Sequence, residues 1–245
     1  MEPVVAVIPA YNEVATIATV VGAARPHVDR VIVVDDGSTD GTVAALQGMD
    51  VDVLGHDGNQ GKAAALWQGM ERALVQGAAA VITLDGDGQH DCSEIPALIE
   101  AWRSSSRRLV IGARLIGREH TPPLRLFGNR MADFWIAWAS GQPVRDSQSG
   151  FRLYPAGLLE RIHLPHHRAR SFVFESEILI EAERLGYPVQ TVPVRCIYPQ
   201  NRRPSHYRPT ADTLRIIAMV ARRLILRGMR PVGLLRSLGI LARRD

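Results

Sequence analysis

The chain predicts an α/β fold, a mostly parallel sheet with helices on both faces, and three observations carry that expectation. Short β-branched apolar runs alternate with stretches of helical periodicity from residue 3 to about residue 114. Each apolar run stops at a polar loop rich in glycine or aspartate. With 245 residues and 46% hydrophobic content, the chain can bury one large core. Strands that alternate with helices pair in parallel, because each helix carries the chain back to start the next strand in the same direction.

PVVAVI (3 to 8) is an apolar run stopped by Pro9, and NEVATIATVVGAAR (12 to 25) places apolar residues at helical spacing. RVIVVDDGSTDGT gives a second strand ending in two aspartates, after which Asp40 is placed to cap a helix through Ala44, Ala45 and Leu46. VDVLGHDGNQGKAAALWQGMERAL supplies a third strand, a glycine-containing loop and a long helix, and AAAVITLDGDGQ a fourth strand. CSEIPALIEAWRSS reads as a helix and LVIGAR as a strand. Ligands of such sheets lie across the carboxyl ends of the strands. The clusters IPAYNE, VDDGSTDGT, GNQGK and LDGDGQH all fall there.

Charge is unevenly spread. From Arg202 to Asp245 there are 11 arginines against Asp212 and Asp245, a balance of +9, which leaves the first 201 residues at −5 of the net +4. Nucleic acid and an anionic membrane surface both suit such a tail. Lys62 is the sole lysine among 29 basic residues, so in a chain that otherwise uses arginine it asks for a specific reason. Cys92 and Cys196 fit no metal spacing or disulfide framework, which points to a reducing compartment. The N-terminus carries Glu2 where a signal peptide needs positive charge, and no apolar run approaches the roughly 18 to 20 residues of a membrane span. A cytoplasmic protein, soluble or peripheral, is expected.

LDGDGQHD gathers Asp85, Asp87 and Asp91 where a strand ends. As a calcium loop counted from Asp85 it fails, because His90 and Pro96 stand where glycine and glutamate are required. Residues i and i+2 of an extended segment point the same way, so Asp85 and Asp87 suit one hard divalent cation, with Gln89 a further oxygen donor. VDDGS lacks a preceding G-x-G-x-x-G, which argues against a dinucleotide fold. Asp35 or Asp36 instead suits a base N–H or a ribose hydroxyl.

In this order IPAYNE, VVDDGSTDGT, NQGK, LDGDGQH, IGAR, SQSGFR and FESEILIEAERLGYPVQTVPVRCIY resemble family 2 glycosyltransferases, most of all the dolichol-phosphate mannose synthase and polyprenyl-phosphate glycosyltransferase branch. The likeness runs from about residue 4 to about residue 200. It implies a GT-A fold, Rossmann-like and mostly parallel, and inverting transfer from a nucleotide diphosphate sugar with Mg2+ or Mn2+. By resemblance Pro9, Tyr11, Glu13, Asp36, Lys62 and Asp85 bind the donor, and Asp85, Asp87 and Gln89 hold the metal, with Asp87 a catalytic residue. Guanosine with mannose and uridine with glucose fit equally.

The resemblance also implies that Arg114, Arg130 and Arg195 hold an acceptor phosphate, with Arg114 and Arg130 counted in the catalytic set. Asp146 of RDSQSGFR is expected as a base for a hydroxyl acceptor, and otherwise as an organiser of Arg152 or of the acceptor arginines. A phosphate acceptor needs little base, its second pKa being about 6. Residues 1–205 form the expected catalytic domain and residues 206–245 a basic amphipathic helical extension. Along the extension, Leu214, Ile217, Met219, Val220, Leu224, Ile225 and Leu226 make one apolar face opposite Arg215, Arg222, Arg223 and Arg227. Such a face docks on the cytoplasmic side of an anionic membrane, where a lipid phosphate is presented, or else packs on the catalytic domain or in a homodimer. With a lipid-phosphate acceptor no nucleic-acid partner is expected. Transfer to another lipid or soluble hydroxyl acceptor is the alternative, and a nucleotide-sugar-binding or nucleotidyl-transferring protein is the reading from another class.

Overall fold

The computed structural model describes residues 2–117, 123–166, 171–195, 197, 209–238 and 240–241. Its sheet has seven strands: β1 (Val4–Ala10), β2 (Arg30–Asp35), β3 (Asp52–Gly55), β4 (Ala80–Thr83), β5 (Leu109–Ile116), β6 (Arg152–Pro155) and β7 (Val189–Arg195). Their order is β3-β2-β1-β4-β6-β5-β7. All neighbours are parallel except β6, which runs antiparallel to both β4 and β5.

Side chains that alternate along a strand feed two cores, one on each face. Val4, Ala6 and Ile8 of β1 join one, with α1 (Ile17–Ala24) and α3 (Ile95–Arg103). Val5 and Val7 join the other, with α2 (Lys62–Val75), α4 (Pro123–Ser140), α6 (Ser171–Arg184) and α7 (Pro209–Leu226). The short α5 (Ala156–Leu159) follows β6, and α8 (Pro231–Ser237) packs on α4.

Two local expectations change. The first helix begins at Ile17 rather than near residue 12, because the backbone of 12–14 is bonded to the loop of 38–42. After β2 there is one 3-10 turn, Ala44–Leu46, and no α-helix. Asp40 bonds Thr42 N (3.0 Å) and Val14 N (3.2 Å), so it ties two loops together instead of starting a helix. The sheet is mostly parallel as expected, its one antiparallel strand, β6, lying between β4 and β5.

The extension is part of this second core. Ile216, Met219, Val220 and Leu224 are buried there. Arg223 Nη2 lies 2.7 Å from Glu177 Oε1, Arg227 Nη2 3.2 Å from Glu181 Oε2 and Arg230 Nη1 3.2 Å from Glu183 Oε2. The seven-residue apolar face is therefore divided, and the docking expected of it is corrected for Met219, Val220 and Leu224, which pack on the catalytic domain. Ile217, Ile225 and Leu226 stay exposed, and Leu214 falls outside the described side chains. Arg215 and Arg222 are exposed, whereas Arg223 and Arg227 face the α6 carboxylates. Among the described residues no helix is long and apolar enough to cross a membrane. Cys92 is buried and free, and Cys196 lies outside the described residues.

Candidate active site

The loops at the strand ends are fastened to one another. Asn12 adopts φ 59°, which lets its N–H reach Ser38 Oγ (2.8 Å) while its side-chain oxygen accepts from Thr39 N (2.8 Å). Glu13 N donates to Thr42 Oγ1 (2.8 Å), and Thr16 Oγ1 donates to the Gly86 carbonyl (2.7 Å). The loop after β1 is thus tied to those after β2 and β4. Pro9 and Glu13 border Gly86: a Cβ added there would stand 3.3 Å from the Pro9 carbonyl and 3.4 Å from Glu13 Cγ. Tyr11 lies between them in the chain. Gly37, at φ 77°, lets the β2 loop meet the loop after β3, where an added Cβ would come within 2.6 Å of Gly58 Cα.

Asp36 is buried and accepts from Gln60 N (2.7 Å) and Gly61 N (2.8 Å), with His56 Nδ1 at 2.7 Å. Both of its oxygens hold the loop that delivers Lys62, a structural task beside the nucleoside contact expected of it. Its neighbour Asp35 differs. Asp35 Oδ2 accepts from Ser38 N (3.1 Å), while Oδ1 is buried with no partner.

Lys62 opens α2, with Gly61 at φ 95° as the N-cap. Its Nζ lies 2.7 Å from Asp85 Oδ1 and 3.1 Å from Glu175 Oε2. Burial works against the ammonium, but the two carboxylates outweigh it and raise the lysine pKa. Burial likewise opposes the charge of Asp85, yet Lys62 and His90, whose Nε2 is 3.4 Å away, hold its carboxyl well below the usual range. The sole lysine therefore sits between two carboxylates at the strand ends, as a compact point charge suits.

Asp87 is in the opposite condition. Burial and the neighbouring Asp85 charge both raise its pKa. Its Oδ1 accepts from Gln89 N (3.0 Å), and the Gln89 side-chain amide donates to its other oxygen. The expected ligand set of Asp85, Asp87 and Gln89 is not assembled here: Gln89 offers Asp87 its nitrogen, and Asp85 is paired with Lys62. Among the described residues no three of His, Cys, Asp and Glu gather in a metal-holding arrangement. The donor chemistry nevertheless fits a small hard cation. Two carboxylates stand one glycine apart, and the repulsion that raises the Asp87 pKa is what a divalent charge relieves.

On the other side of the sheet, Arg114 clasps Asp146. Its Nε and Nη2 donate to the two carboxylate oxygens at 2.8 Å each, and its backbone N–H adds a third bond at 2.7 Å. Asp146 is 1% exposed and held at φ 52°. The N–H groups of Asp146 and Ser147 are held by Asp133 of α4 at 2.9 and 2.7 Å. Both oxygens of Asp146 are bonded to Arg114, the arrangement expected of an organiser of that arginine. Arg152 is held elsewhere, by the carbonyls of Ser147, Ser149 and Glu175 at 2.7, 2.7 and 2.6 Å. Arg195 is exposed on β7, where it pairs with Ile116 just beyond the Arg114–Val194 pair. Arg130 is exposed on α4, one turn before Asp133. The elements of Arg114 and Arg130 are thus joined through Asp146 and Asp133, and that of Arg195 is joined to β5 by strand pairing.

Residues 5–162 match the family model described as glycosyl transferase family 2. The chain belongs to this family. It is 30% identical over 213 residues to the UDP-N-acetylglucosamine–dolichyl-phosphate N-acetylglucosaminyltransferase of Methanococcus voltae, covering 78% of this chain and 84% of that protein. It is 29% identical over 211 residues to the undecaprenyl-phosphate mannosyltransferase of Micrococcus luteus, covering 78% and 82%. Glucosyl-3-phosphoglycerate synthase from Mycobacterium tuberculosis, solved with Mn2+ and UDP-glucose, superposes with TM-score 0.66 at 23% identity over 98% of this chain and 80% of that one. That last likeness is one of fold, and the fold is GT-A.

For this family 2 glycosyltransferase the structure adds Glu175, which the motifs did not single out. It is one of three buried carboxylates of α6, with Glu177 and Glu181, and nothing in the sequence sets it apart from them. Its side chain holds Lys62 and its carbonyl holds Arg152, so it links the donor loops to the segment before β6. Gly150 completes the link. A Cβ there would lie 2.8 Å from Asp85 Oδ2, and Thr83 Oγ1 donates to its carbonyl at 2.7 Å. Gly150→Ala should displace Asp85 and so weaken donor binding, at a stability cost of about 1–3 kcal/mol, as is usual for overpacking, with little change in circular dichroism. Calorimetry with nucleotide checks this, and unchanged affinity would show that Asp85 is not confined by this loop.

Proposed function

We propose that the chain transfers a hexose from a nucleotide diphosphate sugar to a polyprenyl-phosphate-type lipid, with inversion at the anomeric carbon. The observation that carries the acceptor is the Arg114–Asp146 clasp: the carboxylate beside the acceptor arginines is committed, as suits an anionic phosphate nucleophile rather than a hydroxyl that must lose a proton. The Methanococcus and Micrococcus relatives, both named for polyprenyl-type phosphates, support the same choice.

On the donor side Asp35 Oδ1, a buried acceptor lacking a donor, suits an N–H or hydroxyl of the nucleoside. Lys62 faces the diphosphate once the donor replaces Asp85 as its partner, and Glu175 keeps it aimed. Asp85 and Asp87 would hold a divalent cation, Mn2+ or Mg2+, which when bound offsets the charge of the departing diphosphate. Mn2+ with UDP-glucose in the Mycobacterium synthase is consistent with this. Arg114, held rigid by Asp146, and the exposed Arg130 and Arg195 receive the acceptor phosphate and offset its charge as it approaches.

Thermal shift and calorimetry with UDP and GDP, each with and without Mn2+, test the donor half. A nucleotide at 100 times its dissociation constant adds about 2.7 kcal/mol, or roughly 5–10 °C of Tm for a chain of this size. If neither nucleotide shifts the transition with Mn2+ present, the donor assignment fails. Arg195→Ala and Arg130→Ala should each raise the apparent acceptor KM about ten- to a hundredfold, as loss of one charge-assisted hydrogen bond of about 1.5–3 kcal/mol requires, with donor affinity unchanged. Equal loss of donor affinity would move these residues to the diphosphate.

A further inference from the structure

Lys62 stands where a cation would. Its Nζ lies 2.7 Å from Asp85 Oδ1, while the second oxygen of Asp85 faces His90 Nε2 at 3.4 Å with Gly150 close behind it. Both oxygens of Asp87 are taken as well, one by the backbone N–H of Gln89 (3.0 Å) and the other by its side-chain amide. Every carboxylate oxygen of these two aspartates therefore has a partner from the chain itself. The Gln89 bonds are local to one turn, whereas Lys62 brings a full positive charge from the start of a different helix, α2. Glu175 Oε2, 3.1 Å from Nζ, gives that charge a second anchor. The side chains of Lys62 and Asp85 are 24 and 30% exposed against 10% for Glu175, so the Lys62–Asp85 pair opens to solvent at the strand ends. A ligand can reach Nζ there without unpacking the core.

Given the proposed donor and metal sites, on which this rests, we infer that Lys62 is the resident counterion of Asp85 and Asp87 and holds a divalent cation off until a nucleotide diphosphate draws its ammonium away. An ammonium and a divalent cation cannot both sit at contact distance from Asp85 Oδ1. Their repulsion grows as the inverse of their separation, and salt screens it poorly in a half-buried site. The diphosphate supplies what the exchange needs, an anionic partner for Lys62 and oxygens for the cation. Metal and nucleotide then enter together, each raising the affinity of the other by the same factor. A lysine suits this task and an arginine does not, since one rotatable ammonium can change partners while a guanidinium keeps a two-point grip on a carboxylate. Glu175, bonded to Nζ but not to the Asp85 side of the exchange, tethers the ammonium while it moves.

The test is Mn2+ binding to the full chain by electron paramagnetic resonance, which separates free from bound ion and needs no turnover. Wild type should bind Mn2+ alone weakly, and roughly tenfold or more tightly beside UDP or GDP, within the usual range of coupling between sites. Lys62→Met should bind Mn2+ alone about tenfold more tightly than wild type does, as expected for a group that neighbours the ligands, while its nucleotide affinity falls and the mutual enhancement shrinks. Lys62→Arg keeps a cation at Asp85, so its affinity for Mn2+ alone should stay as weak as that of wild type. Because Lys62→Met strips Glu175 of a charged partner, the double variant Lys62→Met with Glu175→Gln is measured beside it and should show the same gain. If neither variant binds Mn2+ alone more tightly than wild type, while wild type does bind it beside nucleotide, the inference is overturned and the metal site stands. If wild type takes up no Mn2+ even with both nucleotides, the metal site itself fails and the inference with it.

Discussion

Replacing Asp87 with alanine should lower glycosyl transfer by roughly 10²–10³-fold, the usual cost of deleting one group that stabilises developing charge. The fold should survive, because the bonds of Asp87 are local to its turn, to the backbone and side chain of Gln89. Asp85 cannot substitute for it. Lys62 and His90 already hold that carboxylate, whereas Asp87 is the one whose charge burial and repulsion disfavour. Adding a cation relieves that repulsion, so manganese-dependent nucleotide affinity should fall together with turnover, while affinity without metal should hold or rise slightly as a negative charge is removed. Calorimetry with and without manganese, beside steady-state kinetics, checks both. Wild-type turnover at saturating metal would remove Asp87 from the site.

The second large effect is on stability. Asp146→Ala strips three bonds from Arg114 and leaves its largely buried guanidinium without this carboxylate. Removing one partner of a buried pair costs about 3–5 kcal/mol, or a Tm roughly 6–20 °C lower for a chain of this length. Asp146→Asn keeps the shape but loses the charge, so it should fall between wild type and Asp146→Ala in Tm and raise the acceptor KM through a loosened Arg114. A general base would behave otherwise: Asp146→Asn would then abolish kcat while Tm and acceptor KM stayed normal. Differential scanning calorimetry together with acceptor titrations separates the two.

The strands and the polar loops at their ends were largely legible in the sequence because their parts are local. An apolar run that ends in IPAYNE or LDGDGQH declares a strand and its functional end in one segment, and Lys62 stood out because every other basic residue is arginine. Partners from distant segments were not legible. Glu175 reaches Lys62 from α6, and β6 is a four-residue strand whose antiparallel place between β4 and β5 depends on partners far along the chain. Asp36 shows the same limit, since DDGS offered two adjacent carboxylates and only the fold shows which one is spent on holding a loop. In the extension, periodicity gives a helix an apolar face but does not name what covers it. Met219 and Leu224 face the core while Ile225 and Leu226, in the same pattern, face outward.

The most direct measurement is transfer itself. The purified chain is incubated with Mn2+, a polyprenyl phosphate and labelled UDP- or GDP-sugars in turn, and the organic phase is counted. The account predicts that label from at least one donor enters the lipid, is released as free sugar by mild acid, depends on the phosphate of the acceptor, and is lost in Asp87→Ala. Label that remains in water for every donor, or that passes instead to a soluble acceptor such as phosphoglyceric acid, would contradict it.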